Sequence, residues 1–197
     1  MDDISQIKKR KDSHLDLARS PVSQSSAQTG LDRVRLTHQA LPEQNIADIS
    51  TQTKFMGRDI SLPLMIGAMT GGSEKGDTIN LRLARLAARY NIPLAVGSQR
   101  ASLKAGQTPN LRKAASQEAH EPFIIANLGG LQLAANDGLS FAQRAVDVLQ
   151  ADALAIHLNP LQEAVQPEGG GDWRGVLGAI ENVVSALPCP VMVKEVG

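Results

Sequence analysis

Cysteine is almost absent, with one residue, Cys189, in a chain of 197. An internal disulfide framework is therefore excluded, and the chain fits a reducing compartment. Cys189 stands between Pro188 and Pro190 beside an apolar run, where a buried and inert thiol is expected. An excess of either charge is missing too. Twenty Lys and Arg balance twenty Asp and Glu, so nothing in the composition asks for nucleic acid as a partner. No apolar run approaches the roughly 20 residues of a membrane span. The amino-terminal segment is polar and charged where a secretory leader would carry an apolar core. The expectation is a cytoplasmic globular domain, or most of one, with no membrane partner.

What is present becomes regular beyond Leu62. Apolar runs begin at Pro63, Pro93, Pro122, Asp152 and Pro190, about thirty residues apart until the last, longer step. Helical patterns lie between them. Ile79, Leu83, Leu86, Ala87 and Tyr90 form a stripe after the candidate cap Asp77, and Thr108-Pro109 has the form of an N-cap followed by proline at the first helical position. Ala142, Ala145, Val146 and Leu149 follow Ser140. Trp173, Val176, Leu177, Ile180, Val184 and Leu187 follow Asp172. Strands that are apolar throughout, alternating with amphipathic helices, predict a parallel sheet covered on both faces. Residues 62–197 thus hold five βα strands. Ahead of them, Asp2 to Ser20 predicts a short helix with a weak stripe of Ile4, Ile7, Leu15 and Leu17, and Ser20 to Gly30 a mobile loop. Alternation at Ile49, Thr51, Thr53 and Phe55 before Gly57-Arg58-Asp59, then Ile60 and Leu62, predicts a hairpin suited to covering one end of a barrel. Residues 1–61 are expected to be an arm plus this hairpin.

In parallel α/β architectures ligands gather at the carboxyl ends of the strands. The residues at those ends are Met69-Thr70-Gly71-Gly72, Gly97-Ser98-Gln99-Arg100, Asn127-Leu128-Gly129-Gly130, His157 to Glu163, and Lys194-Glu195-Val196-Gly197. Glycine pairs also serve plain turns, and a polar loop can simply close a strand. Five polar or glycine-rich ends in succession favour one shared pocket. Gly71 and Gly72 would let backbone N–H groups approach a flat or anionic ligand. Ser98, Asn127 and the backbone near Thr70 would hydrogen-bond the edge of a ring, and Lys194 would place positive charge where a flavin gains negative charge on reduction. In His157-Leu158-Asn159-Pro160-Leu161-Gln162-Glu163, the imidazole and amides can donate or accept, while Glu163 offers the hard oxygen that magnesium prefers. The run Lys8-Lys9-Arg10-Lys11 is either a solvated face or, with Arg100, a clamp for a phosphate-bearing substrate.

These pieces, together with Arg10-Lys11-Asp12-Ser13-His14, Ala68-Met69-Thr70-Gly71-Gly72, Gln166-Pro167-Glu168-Gly169 and Val193-Lys194-Glu195-Val196-Gly197, stand in the order of a known family. From Arg10 to its last residue the chain resembles the type 2 isopentenyl diphosphate isomerases, FMN-dependent enzymes on a (β/α)8 barrel. Gly170 and Gly171 depart from the family pattern in one loop. The resemblance implies interconversion of isopentenyl diphosphate and dimethylallyl diphosphate, with reduced FMN required although no net redox change occurs, and NADPH as reductant. It implies that Ala68, Met69, Thr70, Ser98, Asn127 and Lys194 contact FMN. Arg10, Lys11, Ser98, Arg100, His157, Asn159 and Gln162 would line the substrate, and Glu163 would bind the Mg²⁺ that also holds the diphosphate. Gln162 and His157 would be the catalytic side chains, with Gln162 close to the reacting carbons.

A full barrel needs eight βα units, whereas this chain stops as its fifth strand closes. The expectation is a truncated chain that lacks the later loops, where FMN barrels hold the cofactor phosphate, and a homo-oligomer at full length. Two other readings stand beside this one. Another FMN-dependent barrel oxidoreductase would use the same lysine and amides, but has no need of Arg10-Lys11 together with Gln162-Glu163. A truncated, non-catalytic product is the other.

Overall fold

Runs apolar at every position become strands buried on both faces. The computed structural model describes residues 3–23, 26–165 and 171–195, and in it all six residues of one strand, Ile124–Gly129, are buried. In chain order the elements are α1 (Asp3–Ala18), a hairpin of β1 (Thr53–Phe55) and β2 (Arg58–Ile60), α2 (Glu74–Tyr90), β3 (Leu94–Ala95), α3 (Arg100–Ala105), α4 (Leu111–Ala115), β4 (Ile124–Gly129), α5 (Gly130–Leu133), α6 (Gly138–Leu149), β5 (Ala153–His157), α7 (Pro160–Val165), α8 (Val176–Ala186) and β6 (Val191–Lys194). Strands β3 to β6 pair side by side in chain order, all parallel. The result is a mixed α/β fold around a curled parallel sheet.

The run at Pro63 departs from expectation, because it forms only a bridge between Ile66 and Leu94 instead of a full strand. The Ile66 N–H donates to the Pro93 carbonyl and the Ala95 N–H to the Ile66 carbonyl, each at 2.9 Å. Gly67 follows directly and offers no side chain to pack, which weakens a strand at that point. Leu64 and Met65 are exposed beside it.

Alternation sorts the sheet side chains into two layers. Leu94, Val96, Ile124, Ala126, Leu128, Leu154 and Ile156 pack outward against Ala84, Ala87 and Ala88 of α2 and Ala142, Ala145, Val146 and Leu149 of α6. Burying each large aliphatic side chain here is worth roughly 1.5–3 kcal/mol. The opposite, inner face carries the smaller cluster Ala95, Phe123, Ile125, Ala153 and Ala155, with Ala68, Met192 and the hairpin residues Phe55 and Met56 against it.

The hairpin turns at Met56 and Gly57, both with positive φ (46° and 83°), as a two-residue turn between twisted strands requires. Phe55 meets Phe123 edge-on at 5.7 Å, and the Arg58 guanidinium lies 5.8 Å from the Phe123 ring centre. Arg58 also donates to the Glu121 carbonyl at 2.5 Å and lies 3.7 Å from Asp152. All of these partners precede β4 or β5, so the hairpin covers the amino-terminal floor of the sheet. Arg112 of α4 ties the same floor. Its guanidinium reaches Glu121 (2.5 Å), Asp152 (3.0 Å) and the Gln150 carbonyl (2.6 Å), while Asp152 also accepts from the Ile124 N–H at 2.8 Å.

Several helix assignments differ from the sequence patterns. On α2 the buried face is Gly76, Asn80, Ala84, Ala87 and Ala88, and Leu86 and Tyr90 point outward. A helix close against a sheet needs small residues there, and the cap is Ser73 instead of Asp77. The helix expected at Thr108-Pro109 is α4, capped by Asn110, whose side chain accepts from the Lys113 N–H. On α8, Val176 and Val183 are buried while Leu177 and Val184 are exposed. The α6 stripe packs as expected. In α1, Leu15 is half-buried and Leu17 exposed, and side chains before Lys9 lie outside the described residues. The stretch after His157 is a helix, not a loop, with Pro160 as its first residue. Cys189 is half-buried instead of buried, and burial pushes its thiol up, which keeps it protonated. The Gln166-Pro167-Glu168-Gly169 motif with Gly170, and Val196-Gly197, lie outside the described residues.

Candidate functional site

At the carboxyl ends of the strands the inner layer turns from apolar to polar. The register sets Gly129 beside His157 and His157 beside Lys194. One step below, Asn127 faces the same side as Ile125 and Ala155, and only 2% of it is exposed. A buried amide must be satisfied. Asn127 Oδ1 lies 2.8 Å from His157 Nδ1, its N–H donates to Gln99 Oε1 at 2.9 Å, and its carbonyl accepts from the Gln99 N–H at 2.9 Å. Burial, and then the Lys194 charge, push the His157 pKa below its ordinary value, against an opposing pull from Glu163. The imidazole is thus neutral at pH 7.

A second group comes from α1, far away in sequence. Lys11 Nζ donates to the Gly71 carbonyl and, at 2.8 Å, to the Ser98 carbonyl. Burial brings its pKa down to about 8; Asp77 raises it and Arg10 lowers it further. The neighbouring Asp12 accepts from Ser73 Oγ at 2.7 Å, and Ser73 Oγ in turn caps α2 by accepting from the Gly76 N–H. Two adjacent residues of α1 therefore latch it onto the loop that follows Ile66. Gly72 adopts φ 76°, a left-handed conformation that favours glycine, and a Cβ there would also sit 2.7 Å from Lys11 Nζ. The basic run divides: Lys9 is exposed, Arg10 and Lys11 are half-buried, and His14 is pushed down by burial and by these two cations.

The third group is α7. Asn159 Oδ1 accepts from the Gln162 N–H at 3.2 Å, and Asn159 Nδ2 donates to Gln162 Oε1 at 2.6 Å. Gln162 therefore presents its amide nitrogen outward. Glu163 is half-buried one residue on, near enough to act on His157. The Leu158 N–H donates to the Lys194 carbonyl at 2.8 Å, so α7 starts directly from the β5–β6 ladder.

Not every expected role is met. The Gly72 N–H donates to Asp77 at 3.1 Å, and the Gly71 carbonyl, not its N–H, faces Lys11. The Thr70 carbonyl accepts from the Gly97 N–H (2.6 Å) and Asn80 Nδ2 (3.0 Å), so it is turned to the protein. Ala68 packs on the inner layer, whereas the Met69 side chain is 82% exposed. Arg100 is half-buried at the start of α3. Asp12, Asp77 and Gln99 were given no site role by sequence reasoning. All three lie in the motifs or caps quoted above, but their partners are 5 to 61 residues away.

The donor set fits the edge of a flavin. Asn127 Oδ1 is committed to His157, so Nδ2 is the donor that the amide could offer a ring, and Lys194, beside His157 in the register, would be the cation nearest it. Ala95, Ala153 and Ala155 keep the inner face low beneath them. Residues 16–108 match the family model described as FMN-dependent dehydrogenase. The isopentenyl-diphosphate delta-isomerase of Pseudescherichia vulneris is 47% identical over 191 residues, 95% of this chain and 54% of its own length. The same-named protein of Cronobacter sakazakii is 44% identical over 98% of this chain and 56% of its own length. The chain is a homologue of the isopentenyl-diphosphate delta-isomerases. It spans about half the length of these delta-isomerase relatives. Among solved structures, a mandelate oxidase variant is similar at 14% identity over 76% of this chain and 45% of its own, with a TM-score of 0.47. Among the described residues, no helix is long and apolar enough to cross a membrane.

Proposed function

We propose that this chain carries part of the active site of an FMN- and Mg²⁺-dependent isopentenyl-diphosphate delta-isomerase of isoprenoid biosynthesis, built on a (β/α)8 barrel. Residues 1–61 serve in this proposal as arm and floor cover, and residues 62–197 as the first strands. The observation that carries the reading is the meeting of Lys11 from α1 with the Asn127–His157–Lys194 layer and with α7 at one end of the sheet. Similarity to the delta-isomerases over nearly the whole chain supports it.

FMN, reduced by NADPH, supplies when bound a ring whose electronics respond to nearby charge. Lys194 and Asn127 would hold its edge, with Ala68, Met69, Thr70 and Ser98 around it. Lys11, Arg10 and Arg100 would bind the diphosphate, and Asn159 would hold Gln162 above the reacting carbons. An amide is not an acid at neutral pH, so Gln162 positions the alkene. His157, neutral and tied at Nδ1, offers Nε2 to the substrate. Among the described residues no cluster of three His, Cys, Asp or Glu could hold a metal alone. Glu163 would therefore share Mg²⁺ with diphosphate oxygens, as this ion commonly does. The protein is proposed to act in the cytoplasm as a homo-oligomer.

The test is complementation. The chain is mixed with the part of the Pseudescherichia vulneris relative that it does not span, and conversion of isopentenyl to dimethylallyl diphosphate is followed. Conversion is expected only with FMN, NADPH and Mg²⁺ all present. Conversion without FMN, or hydride transfer to a small acid instead, would favour another chemistry. The FMN-dependent dehydrogenase match over residues 16–108 makes that oxidoreductase the second reading.

A further inference from the structure

β3 is only two residues long, yet β4 runs on for four residues past its last partner in that pairing. The parallel ladder between them proceeds through the Leu94 N–H to the Phe123 carbonyl and the Val96 N–H to the Ile125 carbonyl. The next rung would use the Val96 carbonyl and the Ser98 N–H, but there the chain turns away toward α3. Gln99 completes the ladder in its place. Its N–H donates to the Asn127 carbonyl, and its side-chain Oε1 substitutes for the missing backbone acceptor of the Asn127 N–H, both at 2.9 Å. The other end of the same amide, Nε2, donates to the Ala145 carbonyl of α6 at 3.1 Å. Gln99 is 3% exposed, and each of its polar groups named here is spent on holding β4 and α6.

Asn127, so held, projects its side chain to the inner face, where Oδ1 meets His157 Nδ1 at 2.8 Å. An amide oxygen only accepts, so this contact is a hydrogen bond when the proton of the neutral ring sits on Nδ1, which leaves the lone pair on Nε2; the Leu128 main chain is a second hydrogen-bond partner of the ring. The Asn127 amide is thereby oriented as well, with Nδ2 as its free donor. Nε2 lies against Gly129, where an added Cβ would approach it to 3.0 Å. An orienting bond on one ring nitrogen deciding what the other presents is a general property of histidine sites.

We propose that Gln99 is a positioning residue that fixes His157 as its Nδ1–H tautomer and Asn127 as an Nδ2 donor, so that the site meets its ligand with one lone pair and one N–H in a set order. This deepens the isomerase reading and rests on it for the identity of the ligand, but the tautomer itself can be measured without ligand or turnover.

The experiment is nitrogen NMR of the ring-labelled chain. It has four histidines, and His157→Gln assigns the resonance. The wild type is expected to show a protonated Nδ1 and a bare Nε2. Gln99→Met, which keeps the shape and loses both hydrogen bonds, is expected to average the two nitrogens toward a mixed population. Gln99→Glu, studied where the acid is protonated and so restores acceptor and donor, is expected to recover the wild-type pattern. Asn127→Leu removes the acceptor directly and is expected to give the same mixture; should Gln99→Met fail to fold, Gln99→Glu compared between its protonated and ionised forms decides, with a mixture expected only where the Nε2 donor is lost and an unchanged ring pattern overturning the proposal. A wild-type Nε2–H tautomer, or an unchanged Nδ1–H form in folded Gln99→Met, would overturn the proposal. Neither result depends on whether the complemented protein isomerises isopentenyl diphosphate.

Discussion

The floor and the mouth of the sheet use charge in opposite ways. At the floor, Arg112 and Arg58 face Asp152, Glu121 and three backbone carbonyls, so each cation meets an anion or a dipole across the strands it joins. At the mouth, Lys11 is held by carbonyl oxygens while burial disfavours its charge, and His157 is kept neutral beside Lys194. Charges that are satisfied internally hold a fold together. Groups whose charge burial disfavours are what an anionic ligand can stabilise, and perturbed titration in a cleft is a mark of such a site.

The largest expected effect that would break this contrast is at the floor. Arg112→Met should lower stability by about 1–2 kcal/mol, because it removes one charged donor from the half-buried Asp152 carboxylate, which keeps the Ile124 N–H and Arg58, and leaves the exposed Gln150 carbonyl to water. Urea unfolding at constant m-value measures this. A loss below about 0.5 kcal/mol, the range of an ordinary surface change, would make the floor network incidental.

A smaller effect is expected where α1 is latched. Ser73→Ala removes the α2 cap and the partner of Asp12 at once, and cap losses cost about 1 kcal/mol. The same unfolding measurement should show that drop, and proteolysis should release the segment before Ser20 sooner than in the wild type. Unchanged proteolysis would mean that Lys11 alone holds the arm.

The effect sharpest in sign concerns pH. The fold lowers Lys11 from 10.5 to about 8, so between those values the unfolded chain binds more protons than the folded one. Stability should therefore rise with pH across that window. Lys11→Met should lack this rise. His157 obeys the same sign in a lower window: its depressed pKa means that stability falls as pH drops below 6.5, and His157→Asn should flatten that fall. Parallel curves for wild type and variants would contradict the burial of either group.

How much of this was legible in the sequence varies with distance along the chain. The apolar runs at Pro93, Pro122, Asp152 and Pro190 became strands, because continuous Val, Ile, Leu and Ala bounded by proline have few other ways to be buried. The polar strand ends at Asn127, His157 and Lys194 followed directly from those runs. The faces of α2 and α8 did not, since pattern reading favours large side chains, whereas close packing on the sheet selected Ala84, Ala87 and Ala88 and turned Leu86 outward. The role of Gln99 depends on partners 28 and 46 residues away, and that of Arg112 largely on partners 38 and 40 residues away, so neither carries a local signal. Lys11 shows the limit most plainly. Four cations in a row look alike in sequence, and only its carbonyl partners 60 and 87 residues on separate it from Lys9.

The division between floor and mouth is tested most directly by FMN titration, followed by the loss of flavin fluorescence on binding, with wild type, Lys194→Ala and Arg58→Ala compared at one pH and ionic strength. The account predicts a Kd raised about tenfold or more by Lys194→Ala, equivalent to about 1.4 kcal/mol, and unchanged by Arg58→Ala. Equal weakening by both, or full affinity in Lys194→Ala, would contradict it.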